Sequence, residues 1–164
     1  MTTATSGDQA ASAEGSTADR EIVTTRLLDA PRERVFEAWT DPRQVGHWWG
    51  PTGFTTTIQE MDVRPGGVWR FIMHGPDGVD WPNRVLYHEV VRPERLVYDH
   101  GDGEGSDHEF HVTVTFADEG GRTRLTMRSL FPTAAARDYV VREVGAIEGA
   151  NQTLDRLTEY LAQR

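Results

Sequence analysis

The chain has 164 residues, a formal net charge of -9 and neither Cys nor Lys, because all 17 basic residues are Arg. That length suits one domain, and the missing residue types exclude disulfides, zinc–thiolate centres, thiol nucleophiles, Schiff-base lysines and a P-loop. The arginines are scattered singly, so neither nucleic acid nor an anionic membrane face is an expected partner.

From Met1 to Asp19 there is no Val, Leu, Ile or aromatic residue. A segment with so little to bury predicts a disordered N-terminal tail over 1–19 and a domain over 20–164. The tail lacks the basic and apolar segments of a secretory signal, and no later run reaches the roughly 18 apolar residues of a membrane span. The expected location is the cytoplasm.

Glu21–Leu28 (EIVTTRLL) is β-rich and free of Gly and Pro, and predicts a strand. Pro31 then suits a first helical turn, and Val35, Phe36 and Trp39 give a helix an apolar face that stops at Asp41-Pro42. Asp41 as cap with Pro42 in the first turn predicts a second short helix, which carries Val45, Trp48 and Trp49 into Gly50-Pro51.

Between Phe54 and Leu130 runs of period two alternate with turn signals, Arg64-Pro65-Gly66-Gly67 and Gly75-Pro76-Asp77-Gly78 among them. Turns this short predict an antiparallel meander of about six strands. Parity puts Trp69, Phe71 and Met73 on one face against Arg70 and His74, and likewise separates Phe110, Val112, Val114 and Phe116 from His111 and its neighbours. From Ala134 to about Ala162 no Pro interrupts a helical pattern, with Ala136, Val140, Ile147, Leu154, Leu157 and Leu161 on one arc. Gly145 and Gly149 weaken its middle turns and predict a bend. The sum is an α+β fold: a curved antiparallel sheet of about seven strands wrapped round a long C-terminal helix, with two short helices after the first strand. A cleft between sheet and helix follows.

The residues expected to bind a ligand in that cleft are Trp69, Phe71, Met73, Trp81 and Tyr87 from the first half of the meander. Phe110 and Met127 join them from later strands, and Glu143, Ile147 and Asn151 from the helix. Glu143 falls inside the apolar arc between Val140 and Ile147, which makes it the one candidate for an acid–base or ligand-orienting carboxylate. The alternatives for it are an internal pair or a bend that turns it to water. The segment from Asp62 to Gly67 reads as a tight turn tied by Asp62 and Arg64. The dense cluster of His100, Asp102, Glu104, Asp107, His108, Glu109 and His111 reads as a solvated hairpin tip without a metal; the alternative is a pair made by His100 and His108 across the hairpin. Ser129 lies in no nucleophile-elbow sequence.

Several ordered motifs resemble a known family. They are Trp48-Trp49-Gly50-Pro51 through Phe54, Asp62-Val63-Arg64-Pro65-Gly66-Gly67-Val68-Trp69, Gly75-Pro76-Asp77-Gly78, Tyr87-His88-Glu89-Val90-Val91-Arg92-Pro93-Glu94-Arg95-Leu96, and the run from Glu148 to Leu157. Together, over about residues 21–162, they look like the bacterial homologues of the C-terminal domain of the heat shock protein 90 ATPase activator, within the SRPBCC or START-like superfamily. The resemblance implies a helix-grip fold with a ligand cavity. It fixes no reaction, since lipid carriers, receptors, cyclases and dehydratases share the scaffold. Three functions are therefore carried forward: non-catalytic binding of a hydrophobic small molecule without a cofactor, cofactor-free catalysis in the same cavity, and interaction with a chaperone. A homodimer is left open.

Overall fold

The structure, a computed structural model, describes residues 17–102 and 109–163. Residues 1–16 of the expected tail, and Glu104, Asp107 and His108 of the polar cluster, lie outside the described residues. A 3-10 turn at Ala18–Arg20 leads into β1 (Glu21–Leu28). Two short helices follow, α1 (Arg32–Thr40) and α2 (Pro42–Val45), and Asp41 caps α2 as expected, its carboxylate accepting from the Arg43 N–H at 2.9 Å. Then come β2 (Thr55–Met61), β3 (Val68–His74), β4 (Asp80–Val91), β5 (Arg95–Gly101), β6 (Phe110–Glu119) and β7 (Arg122–Leu130).

All seven strands form one curved antiparallel sheet in the order β1-β7-β6-β5-β4-β3-β2. The first two strands are thus the two edges, and α1 and α2 connect one edge to the other. Period two sorts the strands as the sequence predicts: Trp69, Phe71, Tyr87, Leu96, Tyr98, Val112, Phe116 and Leu125 are all buried. Onto this inner face α1 lays Phe36 and Trp39, which meet Phe116 edge-on at 5.2 and 5.8 Å between ring centroids. Such pairs contribute about 0.5–1.5 kcal/mol each beyond their buried area.

The turn between β2 and β3 has a structural explanation. Arg64 Nε donates to Asp62 Oδ2 at 2.8 Å, while Gly66 N–H and Gly67 C=O both pair with the Tyr87 backbone on β4. A Cβ on Gly67 would sit 2.0 Å from the Asp62 carbonyl oxygen, so only glycine fits there.

One expectation needs correction. The C-terminal helix is not one bent rod but α3 (Ala134–Tyr139), a π-helical turn at Val140–Val144, and α4 (Ala146–Ala162). Gly145 separates them in a left-handed conformation, φ +70°, which glycine adopts without a Cβ penalty. Crossing that break resets the helical phase. The arc from Ala136 to Leu161 therefore does not exist as one face: Leu154, Leu157 and Leu161 are buried, whereas Ile147 is 37% exposed. Among the described residues no helix is long and apolar enough to cross a membrane.

Candidate functional site

Between the concave face of the sheet and α4 lies a cavity of about 220 Å³. Its helix wall is Ala146, Gly149, Ala150 and Thr153, spaced i, i+3, i+4 and i+7 on one face. These side chains are too short to reach the sheet, which is why space remains there. The opposite wall comes from the sheet, with Met73, Tyr98, His100, Phe110 and Met127. Trp39 and Trp49 contribute the aromatic wall.

Trp49 and Pro51 reach this position because Arg156 of α4 holds their backbone. Its Nη1 donates to the carbonyls of Trp49, Gly50 and Pro51 at 3.2, 2.8 and 3.1 Å, and Gln152 Oε1 accepts from the Thr52 N–H at 3.1 Å. Partial burial lowers the proton affinity of Arg156. The tryptophan motif at 48–51 and the helix motif at 148–157 are thus two halves of one contact.

Of the expected ligand residues, the structure brings Met73, Phe110 and Met127 together on the cavity wall. Trp69 and Phe71 lie deeper in the core, stacked on each other at 4.2 Å, with Trp49 packed edge-on to Trp69 at 5.0 Å. The tryptophan on the cavity wall is Trp49. Tyr87 is buried beside Tyr98 at 5.9 Å and does not reach the wall. Asn151 is exposed, its side-chain amide donating to the Ile147 carbonyl at 3.1 Å. Glu143 is exposed too, because the π-helical turn and Gly145 rotate it away from the arc that the sequence predicted.

Glu143 instead lines a groove of about 580 Å³ together with Trp81, which is 54% exposed, and Glu148. The groove shares Pro51, Met73, Val144, Gly145 and Gly149 with the cavity. Val144, 65% exposed, stands where the two meet.

The polar groups on the cavity wall are held neutral. Burial pushes His100 down to about 4 and raises the Tyr98 phenol well above its ordinary value. His100 Nε2 donates to Asn83 Oδ1 at 2.8 Å, an orientation fixed by the Asn83 amide donating to the Trp81 carbonyl at 2.9 Å. The indole N–H of Trp39 faces the Tyr98 hydroxyl without forming a hydrogen bond of normal geometry. A general base works best with a pKa near the operating pH, so His100 is a weak one. A separate polar cleft of about 420 Å³ near the end of α4 is lined by Arg43, His47, Arg156 and Glu159. It is an open seam between α2 and α4 rather than an enclosure.

Comparison with known proteins agrees with this architecture. The sequence profile of the family described as Activator of Hsp90 ATPase homolog 1-like protein matches residues 29–162. A crystal structure of a protein from Mycobacterium smegmatis superposes with a TM-score of 0.80 at 27% identity, over 89% of this chain and 93% of that one. A solution structure from Arthrobacter aurescens gives 0.83 at 27% identity, over 91% and 90%. No protein of curated function matches the chain.

Proposed function

The chain belongs to the Activator of Hsp90 ATPase homolog 1-like family, whose fold is that of a ligand-binding or interaction domain, and from that premise we propose that it binds a small hydrophobic molecule, neutral or cationic, between the sheet and α4. The observation that carries this reading is the lining. The cavity wall is aromatic, aliphatic and methionine-rich, with no Asp, Glu or Arg among the described residues, and its histidine is neutral at physiological pH. An apolar pocket with few polar groups is the usual form of a small-molecule site. At about 220 Å³ it lies below the ~300–1,000 Å³ of drug-sized sites, so the buried part of the ligand is small.

The groove serves as the entrance. It carries Glu143 and Glu148, and among the described residues neither it nor the cavity presents an arginine. A carboxylate, sulfonate or phosphate on the ligand would be desolvated there without a counter-charge, which is costly. A neutral group or an ammonium near Trp81 would not be. The neutral tyrosine and histidine favour binding over acid–base catalysis, and Glu143 at the rim orients or attracts a ligand rather than lining the cavity with it. A reducing cytoplasm suits a chain without cysteine.

A matched pair of dyes tests this reading. N-phenyl-1-naphthylamine is neutral, and 8-anilino-1-naphthalenesulfonate is the same skeleton with a sulfonate. The neutral dye is expected to bind the native protein with enhanced fluorescence, and the sulfonate at least about tenfold more weakly, a difference of ~1.4 kcal/mol. A native protein that binds neither, or prefers the sulfonate, contradicts the proposal.

A further inference from the structure

The outer face of the sheet brings together three side chains that are far apart in sequence. Asp99 on β5, the central strand, stands opposite His111 on β6. A bulge in β4 between Tyr87 and Glu89 carries His88 alongside them. His88 Nε2 lies 2.8 Å from Asp99 Oδ2, and His111 Nδ1 lies 2.8 Å from Asp99 Oδ1. The two imidazoles are near-parallel, 29° apart with centroids at 5.9 Å. Two ring nitrogens and a carboxylate oxygen are thereby held within 4.8 Å of one another.

We infer that His88, Asp99 and His111 form a surface site for one divalent transition-metal cation, of which Zn²⁺ is the type. Zinc takes nitrogen and oxygen ligands at ~2.0–2.2 Å, which in a tetrahedron places donor atoms about 3.3 Å apart. The observed 2.8 Å contacts run to the two different oxygens of Asp99, so that geometry opens each histidine–aspartate pair by about half an ångström and draws the two ring nitrogens together from a separation of at most 4.8 Å, a movement that exposed imidazoles make by side-chain rotation. Three adjacent strands in the middle of the sheet supply the ligands, so the backbone beneath them is fixed before any ion arrives. A donor set of two imidazoles and one carboxylate suits Zn²⁺, Ni²⁺ or Cu²⁺, whereas Ca²⁺ and Mg²⁺ require oxygen ligands and water. His88 and His111 are exposed, which leaves the remaining coordination position to water. Glu109 and Arg20 both lie on the rim of the depression next to Asp99, but the Arg20 guanidinium is engaged with the Phe131 carbonyl at 2.9 Å. The site is independent of the cavity, which lies on the other face.

Isothermal titration of the full chain without any polyhistidine tag tests the assignment. Zn²⁺ is expected to bind saturably at one ion per chain, with Mg²⁺ giving no heat of binding under the same conditions. His88→Ala, His111→Ala and Asp99→Asn are each expected to weaken Zn²⁺ by at least about tenfold, while thermal melts confirm that the variants fold. Imidazole ¹⁵N shifts of the wild type give a second readout that needs no variant: those of His88 and His111 should move with Zn²⁺, and those of the other four histidines should not. Absence of saturable Zn²⁺ binding overturns the inference. So does binding that survives loss of both His88 and His111.

Discussion

Ala150→Leu separates an open cavity from a filled core by the sign of its effect. Ala150 stands on the helix wall of the 220 Å³ space. Leucine adds three carbons, which, if they fall into the space, contribute about 0.8 kcal/mol each, or about 2 kcal/mol in all. If the space were already packed, the same carbons would cost about 1–3 kcal/mol through strain. For a chain of this length 1 kcal/mol moves Tm by ~2–4 °C. The variant is therefore expected to melt about 4–8 °C higher in calorimetry and to lose N-phenyl-1-naphthylamine binding, because volume is gained by the protein and lost to the ligand. A Tm that falls by several degrees while dye binding stays unchanged would refute the reasoning.

Three further outcomes follow from the same geometry. Arg156→Met leaves the carbonyls of Trp49, Gly50 and Pro51 without their shared donor and should destabilise by about 2–3 kcal/mol in urea unfolding. His100 is neutral in the fold down to about pH 4 but protonates near 6.5 when unfolded. The stability that this neutral state supports is complete above 6.5 and is lost as pH falls towards 4, by at most about 3 kcal/mol, so the urea midpoint of His100→Phe should fall less steeply over that window than that of the wild type. Deleting residues 1–16, which hold no Val, Leu, Ile or aromatic residue, should leave Tm unchanged, whereas extending the deletion through Arg20 should lower it by removing the paired backbone and side-chain bonds to Phe131.

The sheet was legible because its inner strands alternate cleanly. Trp69 and Phe71, or Val112, Val114 and Phe116, can face only one way, and the Gly-containing turns between runs leave no room for a parallel crossover. The helix was legible in extent but not in phase. A π-helical turn at Val140–Val144 and a left-handed glycine at 145 break the phase between α3 and α4, which leaves Glu143 at the rim and turns the small residues of α4 toward the sheet. Ala146, Gly149, Ala150 and Thr153 at helical spacing were a visible signal for the cavity wall, since a stripe of small side chains opposite large ones leaves space. The choice between Trp49 and Trp69 was not legible. It depends on Arg156 gripping a loop over a hundred residues away. Neither was the company of His88: alternation puts it outside, but only the β4 bulge and the register of β5 with β6 set it beside Asp99 and His111.

The central claim is that an apolar molecule occupies the space under α4, and the methionines report on it directly. The chain has four, and among the described residues Met73 and Met127 line the cavity while Met61 does not. In a methyl-labelled sample titrated with N-phenyl-1-naphthylamine, the Met73 and Met127 resonances should shift together and saturate, with Met61 unmoved. Shifts at Met61 alone, or no saturable shift at Met73 and Met127 while the dye binds, would contradict the account.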